Sequence, residues 1–304
     1  MEREENEDIG RWEDLASKHY ENFPVGSFLV QKPKRGAFKW IYAFARTADD
    51  LADEVQDLAG LHALRVSLDE ALGGKKAHTP FDSLTGPLVS CIHQHKLSPE
   101  YFFLLLDAFE QDLEKNRYGD ILELFDYCRM SANPVGRLVL ELFEEREPEA
   151  MDLSDQICTA LQLLNHIQDI QSDYLERDRI YLPKDRMNTL GIAEEELGKD
   201  SAPPPLQTLI RELAQTTASL FKRGHPLCDL LKGRMSLEIR AIFQSATLVL
   251  ERLEAGGFNP LRKRPKVGKR DSLRVLFRAL RKKGPSKILL HLAQSAPPLP
   301  PRIQ

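Results

Sequence analysis

Apolar residues recur at i, i+3, i+4 and i+7 along most of the chain, the period of helices that bury one face. The pattern predicts helices near 34–56, 60–72, 82–95, 99–114, 119–145, 152–175, 205–231 and 234–254. Glycine and proline fall mainly between them, at Gly73-Gly74, Gly86-Pro87, Pro203-Pro204-Pro205, Gly256-Gly257 and Pro260. Pro134 interrupts the 119–145 stretch and predicts a break near Asn133, because proline lacks the N–H that a helix interior needs. No two alternating runs are joined by Asn-Gly or Asp-Gly, so a hairpin-based sheet is not expected. A last stripe of Leu273, Leu276, Phe277 and Leu280 predicts one closing helix within 268–292, its apolar side packed on the body and its other side basic. The expected fold class is all-α, with residues 1–304 forming a single domain.

Composition narrows this picture. At 42% hydrophobic and 29% charged residues, the chain can fill a core, which excludes disorder over most of its length. No apolar run approaches the roughly 20 residues needed to cross a bilayer. The acidic start MEREENEDIGRWED predicts no secretory leader and hence a cytoplasmic protein. Four scattered cysteines without a C-x-x-C pair point to reduced thiols. The net charge of −4 hides an imbalance: residues 261–304 hold thirteen Lys and Arg against Asp271 alone, and the rest holds 29 against 45 acids. Such a basic tail predicts peripheral contact with an anionic membrane surface. Nucleic acid is not an expected partner.

The chemistry concentrates in two acidic stretches. In YAFARTADDLADE, Tyr42, Arg46, Asp49 or Asp50, and Asp53 recur at spacings of three and four, placing them on one helix face. In LLNHIQDIQSD, Asn165, Asp169 and Asp173 repeat at i, i+4 and i+8 within apolar flanks. Carboxylates stacked in this way repel one another unless a cation neutralises them. Hard oxygen donors without His or Cys suit Mg²⁺, which shares its shell with water and phosphate oxygens. Arg46 and Arg179 are candidates for contact with a diphosphate. No phosphate-binding glycine loop, dinucleotide fingerprint, H-E-x-x-H or G-x-S-x-G occurs, so NADPH is not indicated.

With these motifs in order, the chain resembles the squalene/phytoene synthase family from about residue 12 to residue 280. DDLADE and NHIQDIQSD match the family's two aspartate signatures, the second followed by RIYLP with Arg179 and Tyr181. KHYENF, with His19, Asn22 and Phe23, matches its N-terminal substrate segment. YCRMSANPVG, from Tyr127 to Gly136, matches its central element. The resemblance implies a class I terpenoid synthase helical bundle with a central active-site cavity and a prenyl diphosphate substrate.

Gln168 stands where family members usually carry Arg. Together with HYENFPVGS and SANPVGR it resembles the hydroxysqualene-forming branch, linked to hopanoid synthesis. That branch implies release of diphosphate from presqualene diphosphate and capture of the cation by water. Asp49, Asp50, Asp53, Asn165, Asp169 and Asp173 would then hold metal. Tyr42, Phe44, Tyr127 and Tyr181 would line the pocket with Phe23, and Asn133 or Gln168 would place the water. The alternatives are a synthase condensing two prenyl diphosphates, a chain-elongating prenyl synthase, and a non-catalytic helical protein that binds prenyl lipids.

Overall fold

The computed structural model describes residues 32–281 and 284–298. The chain runs α1 (Lys32–Asp50), a π-helical turn (Leu51–Val55), α2 (Leu58–Leu72), α3 (Asp82–His95) and α4 (Glu100–Glu114), then β1 (Arg117–Tyr118). Next come α5 (Ile121–Ser131), α6 (Asn133–Leu142), α7 (Pro148–Arg177), β2 (Ile180–Pro183), α8 (Lys184–Leu190) and α9 (Pro204–Gly224). The order closes with α10 (Leu227–Leu230), α11 (Gly233–Ala255), α12 (Ser272–Leu280) and α13 (Lys287–Gln294). The all-α expectation holds. Among the described residues the sheet is one parallel pair, with Arg117 opposite Ile180.

Local chemistry sets the boundaries. The Asp57 carboxylate accepts from Gly60 N at 2.9 Å and starts α2, and Asp120 does the same for Glu123 N at 3.0 Å to start α5. Such caps satisfy amide groups that the first helical turn cannot pair internally. The break expected before Pro134 occurs: α5 ends at Ser131 and α6 opens at Asn133, which puts the proline in a first turn where no amide hydrogen is needed.

The described residues divide into two compact units. One holds those up to Lys115 together with Pro134–Met151, and the other holds Asn116–Asn133 and those from Asp152 onward. In the first, α1 and α2 each pack on α3 and α4 around a core that includes Leu61, Leu64, Leu68 and Leu88. Phe44 is fully buried there, edge-on to Phe102 with ring centroids 5.4 Å apart. It is a core residue rather than a pocket lining, since alternation along a helix cannot separate the two. In the second unit, α9 packs on α8 and α13, and α11 packs on α10, α12 and α13.

Five other expectations are corrected. α3 runs through Gly86-Pro87 without a break. The 205–231 stretch divides into α9 and α10 around His225-Pro226. The 34–56 helix ends as a π turn, so Asp53 does not continue the α-helical register of Asp49. The closing stretch forms two helices, because Pro285 cannot continue a helix and Ser286 caps a new one by accepting from Leu289 N at 3.4 Å. The stripe of α12 also faces away from the body: Leu273 is 80% exposed and Phe277 55%, while Val275 and Ala279 are buried.

Candidate active site

α1 delivers the first acidic group at its C-terminal end, where the helix dipole already disfavours negative charge. Arg46 offsets that cost. Its guanidinium meets Asp49 at 2.7 Å, Asp50 at 2.5 Å and Glu54 at 2.9 Å. Arg46 thus acts as a counter-charge to the cluster. Asp53 lies half-buried on the π turn, which Gln56 closes in the left-handed conformation (φ 53°) by donating its N–H to the Leu51 carbonyl. A π turn widens the helix locally, and such turns concentrate at functional sites. Tyr42, about one turn before Arg46, is half-buried, and burial pushes its phenol upward against the pull of Arg46.

The second acidic group lies on the last three turns of α7, in the other unit. Asn165 is exposed, and Asp169 and Asp173 are half-buried. Burial pushes the Asp169 carboxyl upward against the opposing pull of Arg264 and Arg177. Its buried Oδ1 accepts no hydrogen bond and meets the Arg264 guanidinium as an ion pair at 2.6 Å. Arg177 lies 3.8 Å from Asp173. Gln168 donates from Nε2 to the Pro265 carbonyl, so the segment after α11 is tied to this motif by two adjacent residues.

Beyond α7 the chain turns sharply, with Arg179 N donating to the Asp173 carbonyl at 3.0 Å. Arg179 is buried, and β2 carries Tyr181 into an aromatic group with Tyr118, Tyr127 and His166. His166 stacks on Tyr181 at 3.9 Å, and Tyr181 lies 5.6 Å from Tyr127. Burial pushes the His166 imidazole down to about 3, so the ring is neutral at ordinary pH. Asn133 is buried, its Oδ1 accepting from Thr159 Oγ1 at 3.0 Å.

Sequence reading therefore found both acidic groups and two of the clustered tyrosines. The structure brings Tyr127 and Tyr181 together, and it sets Gln168 and Asp169 against one loop. His19, Asn22 and Phe23 lie outside the described residues. Arg264, Arg177, His166 and Tyr118 were missed. For Arg264 a signal exists in the basic run after residue 261, but charge alone does not say which acid such a residue meets.

Among the described residues, no group of three or more His, Cys, Asp or Glu is gathered to hold a metal ion. The donors nevertheless fit a hard cation that keeps water and phosphate oxygens in its shell. They are oxygens throughout, and in each group a buried carboxylate oxygen presses on a guanidinium, Asp50 on Arg46 and Asp169 on Arg264.

These features belong to a known class of enzyme. The squalene/phytoene synthase profile matches residues 16–271, and the chain is a member of that family. The family is one of prenyl-diphosphate enzymes, generally dependent on divalent metal. The hydroxysqualene synthase of Zymomonas mobilis is 36% identical over 263 residues, covering 84% of this chain and 86% of that protein. The crystal structure of squalene synthase HpnC from Alicyclobacillus acidocaldarius superposes with a TM-score of 0.76 at 34% identity, covering 84% of this chain and 97% of that one. A dehydrosqualene synthase crystallised with a ligand shares the fold, with a TM-score of 0.80 at 24% identity over 92% of this chain and 97% of that one.

Proposed function

We propose that the chain is a Mg²⁺-dependent hydroxysqualene synthase of hopanoid biosynthesis, converting presqualene diphosphate and water to hydroxysqualene and diphosphate. The observation that carries this reading is the Gln168–Asp169 pair. A neutral amide precedes the half-buried carboxylate at a position where an enzyme holding two diphosphates gains from a cation. Similarity to hydroxysqualene synthases supports it. We place the enzyme in the cytoplasm, in peripheral contact with the inner face of the membrane.

Asp49, Asp50 and Asp53 on one helix end, and Asn165, Asp169 and Asp173 on another, would hold the ions. When bound, Mg²⁺ supplies Lewis-acid stabilisation of the departing diphosphate. Arg46 and Arg264, now matched to carboxylates, would turn to phosphate oxygens. The C–O bond breaks with its electron pair leaving on diphosphate. Tyr127 and Tyr181 would stabilise the carbocation by about 0.5–2 kcal/mol each through their ring faces. Water then forms the new C–O bond and loses a proton. Gln168, whose Nε2 is engaged by Pro265, keeps Oε1 to orient that water, and Asn133 keeps its amide hydrogens.

Purified protein with Mg²⁺ should form the alcohol from presqualene diphosphate, without NADPH, and leave farnesyl diphosphate untouched. Turnover of farnesyl diphosphate would instead make it a condensing synthase. Binding of prenyl lipids with no diphosphate released would remove both readings. Gln168→Ala or Asn133→Ala should lower the alcohol fraction among the products; an unchanged fraction in both would end the water-placing role.

A further inference from the structure

We infer that α12 is a membrane-docking helix, taking the headgroup layer of an anionic bilayer as its partner. Leu273, Leu276, Phe277 and Leu280 are 80%, 44%, 55% and 59% exposed, at i, i+3, i+4 and i+7. A nine-residue helix with one continuous apolar stripe in water is unusual for a folded surface. The stripe is not needed to hold the helix down. Val275 and Ala279 pack inward, and Arg274 and Arg278 reach Glu251 at 3.4 and 3.1 Å.

Charge decides the occupant. Asp271, the only acid between residues 261 and 304, is turned onto Arg252 at 2.7 Å and Gly268 N at 2.8 Å. The segment's negative charge is thus spent on the body, while Arg270 and Arg281 lie exposed at either end of the stripe. The Arg281 guanidinium sits 4.0 Å over the Phe277 ring, so cation and apolar ring share one surface. A second copy laid on this face would bring the same cations together. An anionic bilayer takes the apolar stripe and the cations at once, as amphipathic interfacial helices do. The inference does not depend on which reaction the enzyme runs.

The test is co-sedimentation of the full chain with vesicles of phosphatidylcholine, with or without phosphatidylglycerol. Binding should be at least about tenfold stronger with phosphatidylglycerol and should weaken as salt rises. Leu273→Ser with Phe277→Ser should cost about tenfold or more in vesicle affinity. Because both side chains are exposed, the thermal midpoint should not move. Equal binding to the two vesicle types, or an unaltered double variant, would overturn the proposal. A variant that converts a dimer to a monomer without changing vesicle binding would assign the face to a second copy instead.

Discussion

Glu238 lies on α11, and burial pushes its carboxyl from 4.5 up to about 7. Between those two pH values the native protein holds a proton that the unfolded chain has released. Stability therefore falls as pH rises through this window, by about 1.4 kcal/mol per pH unit for one proton. Below it both states are protonated and the group costs nothing; above it both are ionised and the full cost is reached. The cost gained between about pH 5 and about pH 8 is about 2.5 kcal/mol, trimmed to about 2 kcal/mol because water still reaches part of this half-buried side chain. Glu238→Gln keeps the shape and removes the charge. Urea unfolding of both proteins at the two pH values isolates this group, since every other titration cancels in the double difference. The variant should gain about 2 kcal/mol over the native chain on going to the higher pH. A double difference below about half a kcal/mol would refute the burial argument.

Gly224 tests the packing of α9 on α7. A Cβ there would lie 2.6 Å from Ile157 Cγ1 and 2.9 Å from the Leu153 carbonyl oxygen, so Gly224→Ala should destabilise by about 2–3 kcal/mol and lower the thermal midpoint. Asp49→Ala and Asp169→Ala should each reduce diphosphate release by about a hundredfold or more, measured at saturating Mg²⁺; near-normal turnover in both would sink the metal assignment. Arg264→Ala removes the cation that meets Asp169 at 2.6 Å, so substrate-free protein should bind Mg²⁺ about tenfold more tightly by calorimetry. An unchanged affinity would mean that Asp169 is not a ligand.

The acidic groups were legible because helical period ties spacing in sequence to position on a face. The spacing of Asn165, Asp169 and Asp173 placed them on one helix, as the proline placed the break before Pro134. The π turn at Leu51–Val55 was not legible, since LADEV carries no local mark distinguishing a wide turn from a regular one. The stripe on α12 shows a different limit. Periodicity finds four apolar residues on one side, but whether that side is covered depends on what lies opposite. The body accepts small Val275 and Ala279 instead.

The counter-charges mark the deepest gap. Arg46 lies within a turn of the carboxylates it balances, and spacing finds it. Arg264 meets Asp169 from a loop far downstream, and no local rule joins them. A carboxylate oxygen buried without a hydrogen bond either takes up a proton or stays ionised beside a cation from elsewhere in the chain or from solution. The loop that lends Arg264 is also held by Gln168 through Pro265, so the residue that sets this motif apart also helps position its counter-charge. An arginine at residue 168 would bring a second cation beside Arg264. With Gln168 neutral, Asp169 pairs with Arg264 and feels Arg177 at longer range; in the proposed reaction a metal ion and a diphosphate would take the place of Arg264.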